Sequence, residues 1–302
     1  MNATNYDPEY LLFAQHGWGN TGDDIGKLAE ALAKPNSIVI APSFDWVKTT
    51  IRINPLIREV EKLVEDRIFN YPRTPIRIIT HSIGGIIWLE VLNKNEEWRA
   101  MVHSLVLIGC PVGGTDLSRV VDSFGIGIGI ARDLGRDRRV LAGIIAQEIP
   151  TLSIASNLNS GTDGLVSVEN TQFDHAHCVT LSDIRHADLK RNPKIVPIIQ
   201  NFWANLQMDY SLASDLAIQV IKRLQAVPGM MDAHRNGFDK SQLVISLQNG
   251  VSIHSWTNAL GMHHVFVSDQ EKQCIYAGYV NSIHSSALSQ ALEEFKQTAI
   301  AK

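Results

Sequence analysis

The sequence predicts a doubly wound α/β architecture, a mostly parallel sheet of about six strands with helices on both faces. Three observations carry this prediction. Between residues 10 and 208, short and almost continuously apolar runs recur, each of strand length. The stretches between them have the spacing of amphipathic helices. After residue 209 the texture changes to alternating strands of antiparallel type, so the parallel region ends there.

In chain order, "YLLFAQHG" (10–17) and "SIVIAPSF" (37–44) read as strands, with "DDIGKLAEALAK" a helix between them. A helix over 55–70 and the strand "PIRIIT" (75–80) follow, then a helix from Ser82 onward and the strand "VHSLVLIGC" (102–110). Past a long stretch come "PTLSIAS" (150–156), "HCVTLS" (177–182) and the helix "PKIVPIIQNFWANL" (193–206). These elements assign 1–208 to one sheet domain and 209–302 to a small α+β appendage. In the appendage, an amphipathic helix precedes three alternating strand runs, Asn249-Gly250 signals a hairpin turn, and a last helix ends the chain.

Composition narrows the function classes. The 302 residues are 45% hydrophobic and 19% charged, with a formal net charge of −4, as in ordinary globular chains. No basic stripe is present to neutralise phosphates, so nucleic acid is not an expected partner. The 3 cysteines, Cys110, Cys178 and Cys274, are too few and too widely spaced for a disulfide framework or a zinc knuckle, and a reducing compartment fits them. The polar start "MNATNYDPEY" is unlike a signal peptide, and no apolar run is long enough to span a bilayer. The expected location is the cytoplasm; the oligomeric state is not legible.

The chemistry centres on "IITHSIGG", where a strand runs into Ser82 and a helix follows. This matches a nucleophile elbow, in which a strained turn lifts a serine oxygen clear of the sheet and small neighbours let strand and helix approach. Gly84 meets that need, and Thr80 departs from it. "QHGWGN" after the first strand supplies a second piece. An anionic tetrahedral oxygen needs fixed N–H donors, and those of Trp18 and Ile83 are placed to provide them. A base and its orienter are expected on later loops, acid first. Asp163 in "SGTDGLVSVEN" and His186 in "DIRHADL" stand in that order, with Asp116 in "CPVGGTDL" a rival orienter.

With these pieces in sequence, the chain resembles the α/β-hydrolase superfamily, in its esterase and lipase branch, over residues 10–208. The resemblance implies Ser82 as nucleophile, His186 as base and acid, Asp163 as its orienter, and the N–H groups of Trp18 and Ile83 as oxyanion donors. It implies cleavage of a small-molecule or lipid ester through an acyl-enzyme, with no metal or organic cofactor. Thioesters and amides are the alternative bonds. A non-catalytic or slow-turnover receptor or interaction protein of the same architecture is the alternative class.

Other residues take plainer readings. Asp183 is expected to cap or solvate its loop, and His81 to pack. His175 and His177 precede their strand, at the wrong end of the sheet for the site. "HAH" with Asp174, like His263-His264, lacks the further ligands of a metal centre. "FGIGIGIARDLG" has no strand directly before it and is not a dinucleotide fingerprint. The insertion at about 112–149 reads as a helical cap. Val140, Leu141, Ile144, Ile145 and Ile149 lie near one face of its helix, which either packs on the sheet or covers the site as a lid.

Overall fold

The computed structural model describes residues 7–18, 21–44, 52–114, 133–158, 161–206 and 216–300. The chain divides into two compact units, residues 1–156 with 163–211, and residues 157–162 with 212–302.

In the first unit the strands are β1 (Leu11–Gln15), β2 (Ile38–Ile40), β3 (Ile76–His81), β4 (Val102–Ile108), β5 (Thr151–Asn157) and β6 (His177–Ser182). They form one sheet in the order β2-β1-β3-β4-β5-β6, and the pairs β1/β2, β1/β3, β3/β4 and β4/β5 are parallel. The helices of this unit are α1 (Gly22–Leu32), α2 (Asn54–Asn70), α3 (Ile83–Lys94), α4 (Arg139–Glu148), α5 (His186–Leu189) and α6 (Ile195–Ala204).

Side chains alternate along each strand, so β1 sends Leu11 and Phe13 to one core and Leu12 and Ala14 to the other. The first core holds α2, α3 and α4 through Val60, Trp88 and Ile145; the second holds α1 and α6 through Ile25, Leu28 and Ile199. Burying each such side chain contributes roughly 1.5–3 kcal/mol, which is why the strands read as nearly continuous apolar runs. Local signals set the helix starts. Thr21 caps α1, whose first turn carries Asp23 and Asp24, and α2 has proline in its first turn.

The strand order reverses at β1. The chain leaves β1 for β2 on one side and returns to β3 on the other, so a crevice opens beyond the carboxyl ends of β1 and β3. Both motifs singled out above lie at that switch point.

Helix α4 answers the question of the insertion for residues 139–148. It is the crossover that a parallel β4–β5 connection requires. Ile145 is fully buried beside Trp88 and Leu134, whereas Val140 and Ile144 are exposed. Buried Arg138 bonds Glu90 of α3 at 2.7 Å, and buried Arg99 bonds Glu148 at 2.9 Å. This helix is packed in place, not a lid. The rest of the stretch, 115–132, including the glycine run and Asp116, lies outside the described residues.

The second unit has an antiparallel sheet of β7 (Met231–Asp232), β8 (Gln242–Ser246), β9 (Ser252–Thr257), β10 (His263–Ser268) and β11 (Cys274–Val280), ordered β7-β11-β10-β9-β8. Helices α7 (Leu216–Gln225) and α8 (Ser285–Ile300) supply Val220, Leu224, Leu288 and Phe295 to the core under it. Asn249 and Gly250 turn β8 into β9 with φ of 57° and 74°, the left-handed pair that this dipeptide tolerates. Residues 157–162 belong to this unit, so the chain visits it between β5 and Asp163. No helix among the described residues is long and apolar enough to cross a membrane.

Candidate functional site

Ser82 joins β3 to α3 with φ 55° and ψ −128°, a strained conformation for a residue with a side chain. The turn is held from both sides: Ser82 N–H donates to the Ile108 carbonyl at 2.8 Å, and Gly85 N–H to the Ser82 carbonyl at 3.0 Å. Gly84 is dictated by space, because a β-carbon there would stand 2.7 Å from the Gln15 carbonyl oxygen and 2.8 Å from that of His16. Thr80 is accommodated because its hydroxyl donates to the Val106 carbonyl of β4 at 3.1 Å.

His186 opens α5, and its Nε2 lies 2.9 Å from Ser82 Oγ. Its Nδ1 lies 2.7 Å from Asp163 Oδ2. The other oxygen, Asp163 Oδ1, accepts from the N–H groups of Leu165 (3.0 Å) and Val166 (2.8 Å). His186 N–H also donates to the Asp163 carbonyl at 2.9 Å, tying the two loops at backbone level. A carboxylate beside Nδ1 places the imidazole proton there and leaves Nε2 to accept from the serine. All three side chains are buried.

The turn after β1 lies against the serine: a β-carbon on Gly17 would be 2.8 Å from Ser82 Cβ. His16 orients this turn. Its Nδ1 faces the Gly17 carbonyl at 2.7 Å and must donate, while its Nε2 accepts from Phe44 N–H at 3.2 Å. The Gly17 carbonyl and the Trp18 N–H belong to one trans peptide and point in opposite directions, so fixing one aims the other. Burial pushes the pKa of His16 down, which keeps this ring neutral. The N–H of Ile83, first in α3, has no acceptor within its own helix.

Ser82, Asp163 and His186 therefore come together, with Trp18 and Ile83 beside them in the chain fold. His175 and His177 do not join them: His175 bonds Gln147 at the surface, and His177 starts β6 at the far end of the strand. Asp183 has φ 61° in the turn after β6. Among the described residues no group of three or more His, Cys, Asp or Glu side chains could hold a metal ion. Burial pushes the Cys110 thiol well up and that of Cys178 up to about 11, so neither is a thiolate near neutral pH.

Two contributors escaped the sequence reading. Gly109, at the end of β4 with φ 57°, presents a bare backbone to the base; a β-carbon there would be 3.1 Å from His186 Cε1. The second is the His16 ring, whose adjacency to Gly17 was the available signal.

No protein-family profile matches the chain, and no curated protein matches it. Solved structures do. A lipase of Bacillus licheniformis in its mature form is 13% identical with a TM-score of 0.51, covering 66% of this chain and 93% of its own. The same lipase in its propeptide form is 11% identical with a TM-score of 0.53, covering 92% of this chain and 70% of its own. A phospholipase from Legionella pneumophila is 16% identical with a TM-score of 0.51, covering 68% of this chain and 61% of its own. At such identities the likeness is one of fold, and the fold is that of the α/β-hydrolases.

Proposed function

We propose that this chain is a serine hydrolase that cleaves carboxylic esters through an acyl-enzyme on Ser82. The observation that carries the reading is the hydrogen-bonded line Asp163–His186–Ser82, ending on a strained serine at the sheet's switch point. In this mechanism Ser82 Oγ attacks the ester carbonyl as His186 Nε2 takes its proton, and Asp163 stabilises the imidazolium. The N–H groups of Trp18 and Ile83 receive the tetrahedral oxyanion. His186 then protonates the departing alcohol, and water, deprotonated by the same nitrogen, releases the acid. The test is reaction with a fluorophosphonate followed by a panel of ester chain lengths. Wild type should label and turn over esters, and Ser82→Ala should do neither while remaining folded; labelling without ester turnover would favour the receptor reading.

We propose further that the sheet domain, 1–208, is the catalytic part and that residues 209–302 play the part of a removable segment. The support is the rise in coverage of this chain from 66% to 92% between the mature and propeptide forms of the Bacillus lipase. A protease site introduced between residues 207 and 215 of the full chain tests this. Cleavage after folding should raise the rate on a soluble ester. Loss of activity on cleavage would contradict removal.

A further inference from the structure

The residue before the nucleophile, His81, was expected only to pack, and its ring is indeed buried. Its contacts are more specific than packing. Nε2 of His81 lies 2.9 Å from the carbonyl oxygen of His186, and the two imidazole rings stand 4.8 Å apart, tilted by 42°. A carbonyl can only accept, so His81 carries its proton on Nε2. Its other nitrogen, Nδ1, has no hydrogen-bond partner among the described residues and faces the turn after β1, 3.1 Å from where a Gly17 β-carbon would stand. The ring is thus wedged between the turn carrying Trp18 and the residue carrying the base.

The His186 carbonyl needs such a donor. Helix α5 spans only His186–Leu189, and the N–H that a longer helix would send back to it, that of Lys190, bonds Asp188 instead. A buried carbonyl left unsatisfied is costly and leaves its peptide free to turn. Turning that peptide would swing the attached imidazole away from Ser82.

We infer that His81 is a positioning residue for the proposed reaction, its Nε2–H holding the backbone of His186 so that the base stays within reach of the serine. It touches no reacting atom. Burial, the neighbouring His186 and the Lys190 charge push its pKa well down, which keeps it neutral with a single proton to donate. The inference rests on the hydrolase reading for its kinetic test, so a second readout is independent of it.

Two substitutions separate ring from donor. His81→Gln keeps an amide N–H near the place of Nε2, and His81→Phe keeps a ring without a donor. Three quantities are read for each: the fluorophosphonate inactivation rate, the thermal midpoint, and the downfield proton resonance of His186 Nδ1–H bonded to Asp163. His81→Phe should slow inactivation by about tenfold or more and broaden or shift the resonance, whereas His81→Gln should stay within about threefold of wild type. If His81→Phe does not fold, His81→Asn, whose amide is too short to reach the carbonyl, replaces it with the same expectation. Equal rates in the donor and donor-free variants, or a resonance unmoved by loss of the donor, would overturn the inference. If wild type itself fails to label, the hydrolase reading falls, and the resonance alone still decides the role of His81.

Discussion

Ser82–His186 in the first unit and Ser252–His254 in the second are both serine–histidine pairs, and only the first has the geometry that the proposed reaction needs. Ser252 and His254 lie two apart on β9, on one face of an antiparallel sheet. Ser252 Oγ is 3.3 Å from His254 Nε2, a nitrogen equally close to Ser268 Oγ, and the two hydroxyls stand 2.8 Å apart. This is mutual satisfaction of polar groups, Ser268 buried and the other two half-buried, beside a Phe238 ring 4.8 Å from the His254 ring. At Ser82 the separation is 2.9 Å, the imidazole is oriented from its far side by a carboxylate, and the serine backbone is strained. A parallel sheet with a switch point brings residues far apart in sequence to one crevice, whereas Ser252 and His254, two apart on one strand, meet Ser268 of the adjacent strand and the Phe238 ring.

The comparison breaks most decisively at the serines. Ser82→Ala should remove ester turnover and labelling, and Ser252→Ala should leave both within about twofold, as a substitution remote from the reacting atoms. Loss of labelling in the second variant would erase the distinction. Next in size is the orienter: Asp163→Asn should cost about 10⁴-fold in kcat, because an amide favours the wrong imidazole tautomer. A cost under about tenfold would move the orienter elsewhere, with Asp116 the first place to look.

Gly109→Ala sharpens the comparison further. It forces a β-carbon onto His186 and a side chain onto a φ of 57°, for about 1–2 kcal/mol of strain and about 100-fold in kcat/KM if the ring is displaced. The thermal midpoint and the labelling rate, measured together, separate the two costs. Smallest for turnover is the α4 pair. Ile145→Glu should destabilise the protein by about 3–5 kcal/mol in denaturant titrations, and Ile144→Glu by less than about 0.5 kcal/mol. Selective loss of long-chain ester hydrolysis in Ile144→Glu would return α4 to the role of a lid.

Much of the first unit is legible because a strand buried on both faces must be apolar throughout. "IRIITH", "VHSLVLI" and "TLSIAS" say strand before any contact is known. Ser82, Asp163 and His186 could be singled out because the strand–turn–helix elbow marks the serine and this fold places the acid and then the histidine on later loops. The orientation of α4 was not legible, since an apolar stripe does not say what it faces; Arg138 and Glu90, 48 positions apart, decide it. The role of His16 depends on a peptide plane, and that of His81 on a helix too short to use its own carbonyl. Residue spacing decides neither: the adjacency of His16 to Gly17 is visible, but not the direction in which their peptide points. The assignment of 157–162 to the second unit was not legible: "NLNSGT" announces a loop through its Asn, Ser and Gly residues, but nothing in it says which unit that loop joins.

The central claim is that Ser82 is a nucleophile activated through His186, and mass spectrometry of the fluorophosphonate-treated chain tests it most directly. The account predicts one adduct per chain, on the peptide that carries Ser82, absent after Ser82→Ala and much slower to form after His186→Ala. An unmodified chain after prolonged treatment, or an adduct on Ser252 or another serine, would contradict it.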